Sequence, residues 1–531
     1  MATLAPASDA NKQIVTLERL QVITDSLGVR LREEHLQEWH SLLASVQQSI
    51  DVVESLPDYL PKVDEVKYPR QNVHRPAPDD NPENAWAWKA TIEGAKDGPL
   101  QGMRVCLKDN IAVKGVPMLF GTDMFTGYVP DVDATVVTRL LDAGATITGK
   151  AVCENLSLCA SSFSAATGPV ENPWAHGHAA GGSSSGCGSL VGGHYVEAAI
   201  GGDQGGSIRF PSSHCGCVGM KPTHGLVPWT GMATHSPIHD TAGPMTANVA
   251  SNARILKAIA GRDGIDDRGV GVPLPSEIPD YENVIGLGVK GLKIGIVKEG
   301  FDFQIIDPRV RDTVLDAARR FEQLGAQVVE ISIPLHKLAG DINACGLRPA
   351  SAMHGYLGRA SGRRNLYLNG LVEKMTPLTQ DKFDKMFSAS KFALLSGLYI
   401  WEHHPLLYGK AMNLYRQLQH VYDDALTKLD VLVMPTMPYV SPPHAVAEAG
   451  PLEQMTKSAG CAINTGPFNA SGHPAMSLPV KLLPSEKTGV FLPVGMQIVG
   501  RWFDEATIYR VGAAWENAFD WTEGRKAPAW K

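Results

Sequence analysis

Two serine-bearing, glycine-rich segments stand close together in this chain: Gly181-Gly182-Ser183-Ser184-Ser185-Gly186 and Asp203-Gln204-Gly205-Gly206-Ser207-Ile208-Arg209. Upstream of both, the apolar run Val105-Cys106-Leu107 leads into Lys108, with Asp109-Asn110 beyond it. A serine hydroxyl is too weak an acid to attack a carbonyl at neutral pH, so it needs a base. A lysine can serve when burial depresses its pKa and leaves the amine neutral. Lys108, Ser183 and Ser207 therefore read as base, relay and nucleophile, a set that attacks an acyl carbon without histidine or metal. Amide cleavage also needs donors for the tetrahedral oxyanion. Glycines let successive backbone N–H groups turn toward one point. That makes Gln204, Gly205, Gly206 and Ser207 the candidate oxyanion hole.

Strands and helices must hold these groups in place. Met103 to Leu107 reads as a short strand ending at Lys108. Val136, Val137, Leu140 and Leu141 mark a helix face stopped by Gly144, and Ala145 to Thr148 returns as a strand. Ala198 to Ile200 is a strand feeding the second glycine loop. Lys293 to Val297, the amphipathic run through Val310, Val314, Ala318, Phe321 and Leu324, and Val328 to Ile333 form a βαβ-like unit. Leu429 to Met434 is a late strand ended by Pro435. The pattern is α/β, a mixed sheet covered by helices. Residues 1–95 read as an N-terminal helical region and a linker bearing Pro69, Pro76, Pro78 and Pro82. Residues 96–531 read as the catalytic domain, with an inserted smaller lobe over about 306–424. Leu36, Trp39, Leu43, Val46, Ile50 and Val53 form one apolar stripe, which must pack on the main body or on a second copy of the chain. A homodimer through the N-terminal helices is one expected use of it.

The 531 residues are 44% hydrophobic and 19% charged, with a net charge of −7 and no basic tract. That argues against a nucleic-acid partner. No apolar run approaches the roughly 20 residues of a membrane span, and the N-terminus does not read as a signal peptide. Eight scattered cysteines suggest reduced thiols and a cytoplasmic setting. Cys187, Cys215 and Cys217 lack the C-x-x-C pairing of a zinc site, so no metal or other cofactor is expected. Gly144 to Lys150 nearly spells a phosphate-binding loop, but Ala151 stands where a magnesium-holding hydroxyl is needed. Gly182 to Gly186 fits G-x-S-x-G, yet that reading leaves Lys108 and the second loop unexplained. Ser388-Ala389-Ser390-Lys391 with Lys487-Thr488-Gly489 lacks the Ser-Asp-Asn of a penicillin-recognising enzyme. His214, His224, His235 and His239 read as pocket or loop residues.

Taken with Gly149-Lys150, Lys221-Pro222-Thr223, Gly225-Leu226-Val227, Gly243-Pro244-Met245, Asn469, Gly472-His473-Pro474-Ala475 and Leu492 to Gln497, these segments resemble the amidase signature family. The resemblance runs over roughly residues 96 to 520. Within the family it is to bacterial amidases of broad aliphatic and aromatic range with an N-terminal helical region. The resemblance implies an amidase signature fold, hydrolysis of a small carboxylic amide to an acid plus ammonia or amine, and Ser207 as the acylated nucleophile. It further implies Lys108 as base, Ser183 as relay behind a cis peptide from Gly182, Ser184 as hydrogen-bonding support, and Asp203 with Arg209 as a bracing ion pair. Gly202 replaces the commoner threonine, and Cys187-Gly188 replace the usual small residues. The other readings are a glutamine amidotransferase-type subunit that delivers ammonia to a partner, acyl transfer to an amine, and a non-enzymatic scaffold.

Overall fold

A computed structural model of the chain describes residues 8–359, 362–446 and 449–525. Contacts divide it into two units, Met1–Pro61 and Lys62–Lys531. The first is helical: Asp9–Ile14, Leu17–Ser26, Leu36–Ser45 and Gln47–Ser55. Ser8 and Thr16 cap the first two helices by accepting from the Asn11 and Arg19 N–H groups. Leu36 and Leu43 are half-buried, whereas Trp39, Val46, Ile50 and Val53 stay exposed.

The second unit carries a mixed sheet of 12 strands. In chain order the strands of the unit are β1 (Gln71–His74), β2 (Trp86–Ile92), β3 (Arg104–Lys108), β4 (Thr146–Ala151), β5 (Glu171–Asn172), β6 (Ala175–Ala179), β7 (Ala198–Asp203) and β8 (Val218–Lys221). There follow β9 (Thr241–Thr246), β10 (Lys293–Val297), β11 (Gln327–Ile331), β12 (Val431–Pro435), β13 (Ala475–Pro484) and β14 (Phe491–Val499). The order across the sheet is β1-β2-β4-β3-β7-β9-β8-β13-β14-β12-β10-β11, with β5 and β6 paired separately. β3 lies parallel between β4 and β7. Its Val105, Cys106 and Leu107 are fully buried, the pattern of a strand covered on both faces.

Two boundaries differ from the sequence expectation. Residues 62–95 are no linker, because β1 and β2 build one edge of the sheet. Trp86, Trp88, Ala90 and Ile92 alternate along β2 with the two-residue strand period. The four prolines of this stretch lie outside both strands, where a missing N–H breaks no ladder. At the far edge, β11 pairs in parallel with β10 across the helix Pro308–Arg319. The helical block therefore begins only at Ala339. It comprises Ala339–Ser351, Asn369–Met375, Gln380–Lys385, Ser388–His403 and Leu407–Leu426.

The chemistry-bearing residues gather where β4, β3 and β7 end. Lys108 closes β3, the loop after β4 carries Glu154 and Ser157, and Asp203 closes β7. Such carboxyl ends of parallel strands are where α/β sheets place ligands.

Candidate active site

Lys108 is wholly buried at the end of β3. Its Nζ donates to Ser183 Oγ at 2.8 Å and to the Gly202 carbonyl at 3.2 Å. Burial lowers the lysine pKa, while Cys153, Cys187, Asp203 and Glu154 act to raise it. The net shift favours a neutral amine. The Gly182–Ser183 peptide is cis. Glu154 N–H donates to the Ser183 carbonyl at 3.1 Å, and Ser157 Oγ lies 3.5 Å from Ser183 Oγ. Glu154 is itself anchored, accepting from Ser164 N–H and Oγ and from Ser185 Oγ.

The two glycine loops meet through their backbones. Ser184 N–H donates to the Ser207 carbonyl at 3.3 Å, and the Ser184 hydroxyl bonds to Gly202. Asp203 and Arg209 form an ion pair with both side chains fully buried, at 2.9 Å. Burial acts to raise the Asp203 carboxyl, but the charge and hydrogen bonds of Arg209 outweigh it and hold the pKa at about 2. Arg209 also donates to the Thr465 carbonyl, Gln497 Oε1 and Asn469 Oδ1. The distant motif residues Asn469 and Gln497 thus converge on this loop. The Gly202 departure has a local reason, since a Cβ there would lie 3.0 Å from the Trp229 ring. Gly188 likewise has Pro211 Cβ 2.6 Å from where its own Cβ would stand.

The oxyanion candidates are not equivalent. Gly206 N–H is committed to Asp203 Oδ1 at 2.7 Å. The N–H groups of Gln204, Gly205 and Ser207 have no hydrogen-bond partner among the described residues. Gly206 has φ +139°, and a Cβ on it would collide with the Phe210 ring and lie 2.7 Å from Thr465 Oγ1. Gly205 has open space where its Cβ would go.

Ser207, Gln204 and Gly205 line a cavity of about 240 Å³. The Ser207 hydroxyl makes no hydrogen bond among the described residues. The side chain of Gln204 is held by Asp240 at 3.0 Å, and burial pushes the Asp240 carboxyl up to about 7. Leu158, Ala160 and Phe210 line it with apolar surface, and the helical block adds Leu347, Arg348, Ser351, Ala389, Phe392 and Ala393. Sequence reasoning missed Glu154, Ser157 and Asp240, and could not place Arg348 or Phe392. The E-N-L-S run after β4 was the available signal for the first two.

Of the histidines, His235 lines the cavity, with Nε2 2.5 Å from the Leu156 carbonyl. His239 bonds Ser236, Asn343 and Tyr415. His214 is buried beside Tyr439, and His224 is half-buried. Burial lowers all four pKa values. Lys150, from the phosphate-loop look-alike, is buried against Asp109 at 3.1 Å. Ser390 bonds Asn155. Among the described residues no group of histidines, cysteines and carboxylates has the arrangement of a metal site.

Comparison with known proteins shows the family and the fold. The chain matches the family described as Amidase over residues 54–509, and it belongs to that family. It is 39% identical over 462 residues to the enantioselective amidase of Rhodococcus rhodochrous, covering 85% of this chain and 86% of that one. The peptide amidase of Stenotrophomonas maltophilia superposes with TM-score 0.64 at 27% identity, over 82% of this chain and 85% of that one. A glutamyl-tRNA(Gln) amidotransferase subunit from Thermotoga maritima gives TM-score 0.67 at 26% identity, over 91% of this chain and 94% of that one.

Proposed function

We propose that this protein hydrolyses a small carboxylic amide through an acyl-enzyme on Ser207. The observation that carries the reading is the 2.8 Å bond from the wholly buried Lys108 Nζ to Ser183 Oγ, beside a loop whose Ser207 lines a cavity. Ser207 Oγ attacks the amide carbon, and its proton passes through Ser183 to neutral Lys108. The N–H groups of Gln204, Gly205 and Ser207 receive the oxyanion. Gly206 takes the different part of fixing the loop to Asp203. Collapse of the tetrahedral adduct breaks the C–N bond, and the relay returns the proton to the leaving nitrogen. Water then attacks the ester and yields its proton to the same relay, releasing the acid and restoring Ser207. Ser184, Asp203 and Arg209 support the two loops without touching substrate.

The test is release of ammonia or amine by the wild type and by Ser207→Ala, with sulfonyl fluoride labelling alongside. Retained turnover in the variant would remove Ser207 as the nucleophile. The likeness to an amidotransferase subunit over nearly its whole length favours a second reading, ammonia delivery to a partner. Glutaminase activity that appears only with a copurifying subunit would decide for it. The exposed Trp39, Val46, Ile50 and Val53 support a homodimer through the N-terminal helices, which sedimentation would detect. All eight cysteines are free thiols, which supports a cytoplasmic setting. No helix among the described residues is long and apolar enough to cross a membrane.

A further inference from the structure

The walls of the catalytic cavity carry one formal charge among the described residues, the guanidinium of Arg348. His235, which shares the cavity, has its pKa pushed down to about 4 by burial and is neutral near pH 7. Arg348 lies over the Phe392 ring, 4.7 Å from its centroid. Among the described residues it makes no ion pair and no side-chain hydrogen bond. It is half-buried, and that burial lowers its pKa. Ser351, three residues on in the same helix Ala339–Ser351, is 1% exposed, and its hydroxyl has no partner among the described residues. Residues three apart on a helix face the same way. The cavity therefore holds a half-buried cation without an ion-pair partner and, one turn along the same helix, a buried orphan hydroxyl that is costly as it stands.

We infer that the amide accepted here carries a carboxylate, gripped by the guanidinium of Arg348 and the hydroxyl of Ser351. This rests on the amidase reading and names its substrate class. A carboxylate satisfies both groups at once, since it accepts the planar fork of an arginine and a hydroxyl proton together. A cationic substrate is repelled, and a plain alkyl or aryl amide leaves both groups unsatisfied.

The carboxylate has two sources, the acyl part or the leaving amine, so the experiment has two arms. The first compares ammonia release from succinamate, glutaramate and adipamate with that from butyramide, valeramide and hexanamide. The second compares amine release from N-butyryl-β-alanine and N-propylbutyramide. In at least one arm the carboxylate-bearing amide is expected to win by roughly 10- to 100-fold in kcat/KM, carried mainly by KM. Arg348→Met should bring that ratio to near one, Arg348→Lys should keep part of it, and added salt should shrink it. A wild-type ratio near one in both arms, with neutral amides cleaved, overturns the carboxylate inference and leaves the amidase reading standing. If no amide is cleaved, the amidase reading falls. Calorimetric titration of glutarate into Ser207→Ala and into Ser207→Ala/Arg348→Met then decides the subsite alone. Binding lost with Arg348 supports it, and equal or absent binding overturns it.

Discussion

Arg209→Met should damage the protein in a way that depends on pH. The side chain donates two hydrogen bonds to Asp203 and one each to Thr465, Gln497 and Asn469, all in a site closed to solvent. Methionine fills similar volume but donates nothing. Asp203 keeps the Gly206 and Ile208 N–H groups and Asn469 Nδ2, yet loses the guanidinium that balances its charge. Breaking a buried pair from one side costs roughly 3–5 kcal/mol. The carboxyl can escape by taking up a proton. From its ordinary value of 3.8, that costs about 4 kcal/mol at pH 7, so the two figures agree. In the wild type, the depressed pKa of Asp203 adds stability that is present above 3.8 and is lost as pH falls toward about 2. In the variant the folded pKa is raised instead, so acid favours the folded state. The stability gap should therefore narrow by about 1.4 kcal/mol per pH unit between pH 7 and pH 5. Urea denaturation followed by tryptophan fluorescence at both pH values measures this, provided the m value is unchanged. The double variant Asp203→Asn/Arg209→Met should recover much of the loss. A gap below about 1 kcal/mol at pH 7, or one that ignores pH, would refute the view that this pair holds the loop.

Two further outcomes test the catalytic loop and the base. Lys108→Met should lower kcat/KM about 10²- to 10⁴-fold near neutral pH. If Lys108 is the base, its working form is the neutral amine, so the wild-type rate should climb as pH rises through its depressed pKa and the variant should lack that limb; an identical limb would show that another group titrates. Gly206→Ala forces a Cβ into Phe210 at a left-handed φ and should cut kcat roughly 10²-fold or more by displacing oxyanion donors. Gly205→Ala, with nothing within 4 Å of the new methyl, should keep wild-type thermal stability, and a melting-temperature loss equal to that of Gly206→Ala would sink the contrast.

Much of the candidate site was legible because its signals are local. The strand before Lys108, the helix stop at Gly144 and the strand before Asp203 follow from short-range pattern, and the two serine loops are contiguous in sequence. What escaped has a physical cause. β2 hid beside prolines that dominate the composition of its neighbourhood, although W-x-W-x-A-x-I carries the strand period. β8, β9, β13 and β14 contain glycines and prolines that blur alternation, and β13 shifts register between Pro479 and Lys481. Gly206 looked like an oxyanion donor because sequence does not reveal that the Asp203 carboxylate already claims its N–H. Arg348 and Ser351 meet Ser207 only through packing of the helical block, which no spacing encodes.

Asn155 sets a boundary on how far this enzyme can be redesigned. Its carbonyl and Oδ1 accept from Ser390, and its Oδ1 also accepts from Phe387 N–H. It thereby rivets the roof helix Ser388–His403 to the loop beside Ser183. Phe392 on that helix can be trimmed to admit a bulkier guest while that rivet keeps the ceiling in register with the reagents below. Cut the rivet at Ser390, and reshaping the chamber would also shift the tools.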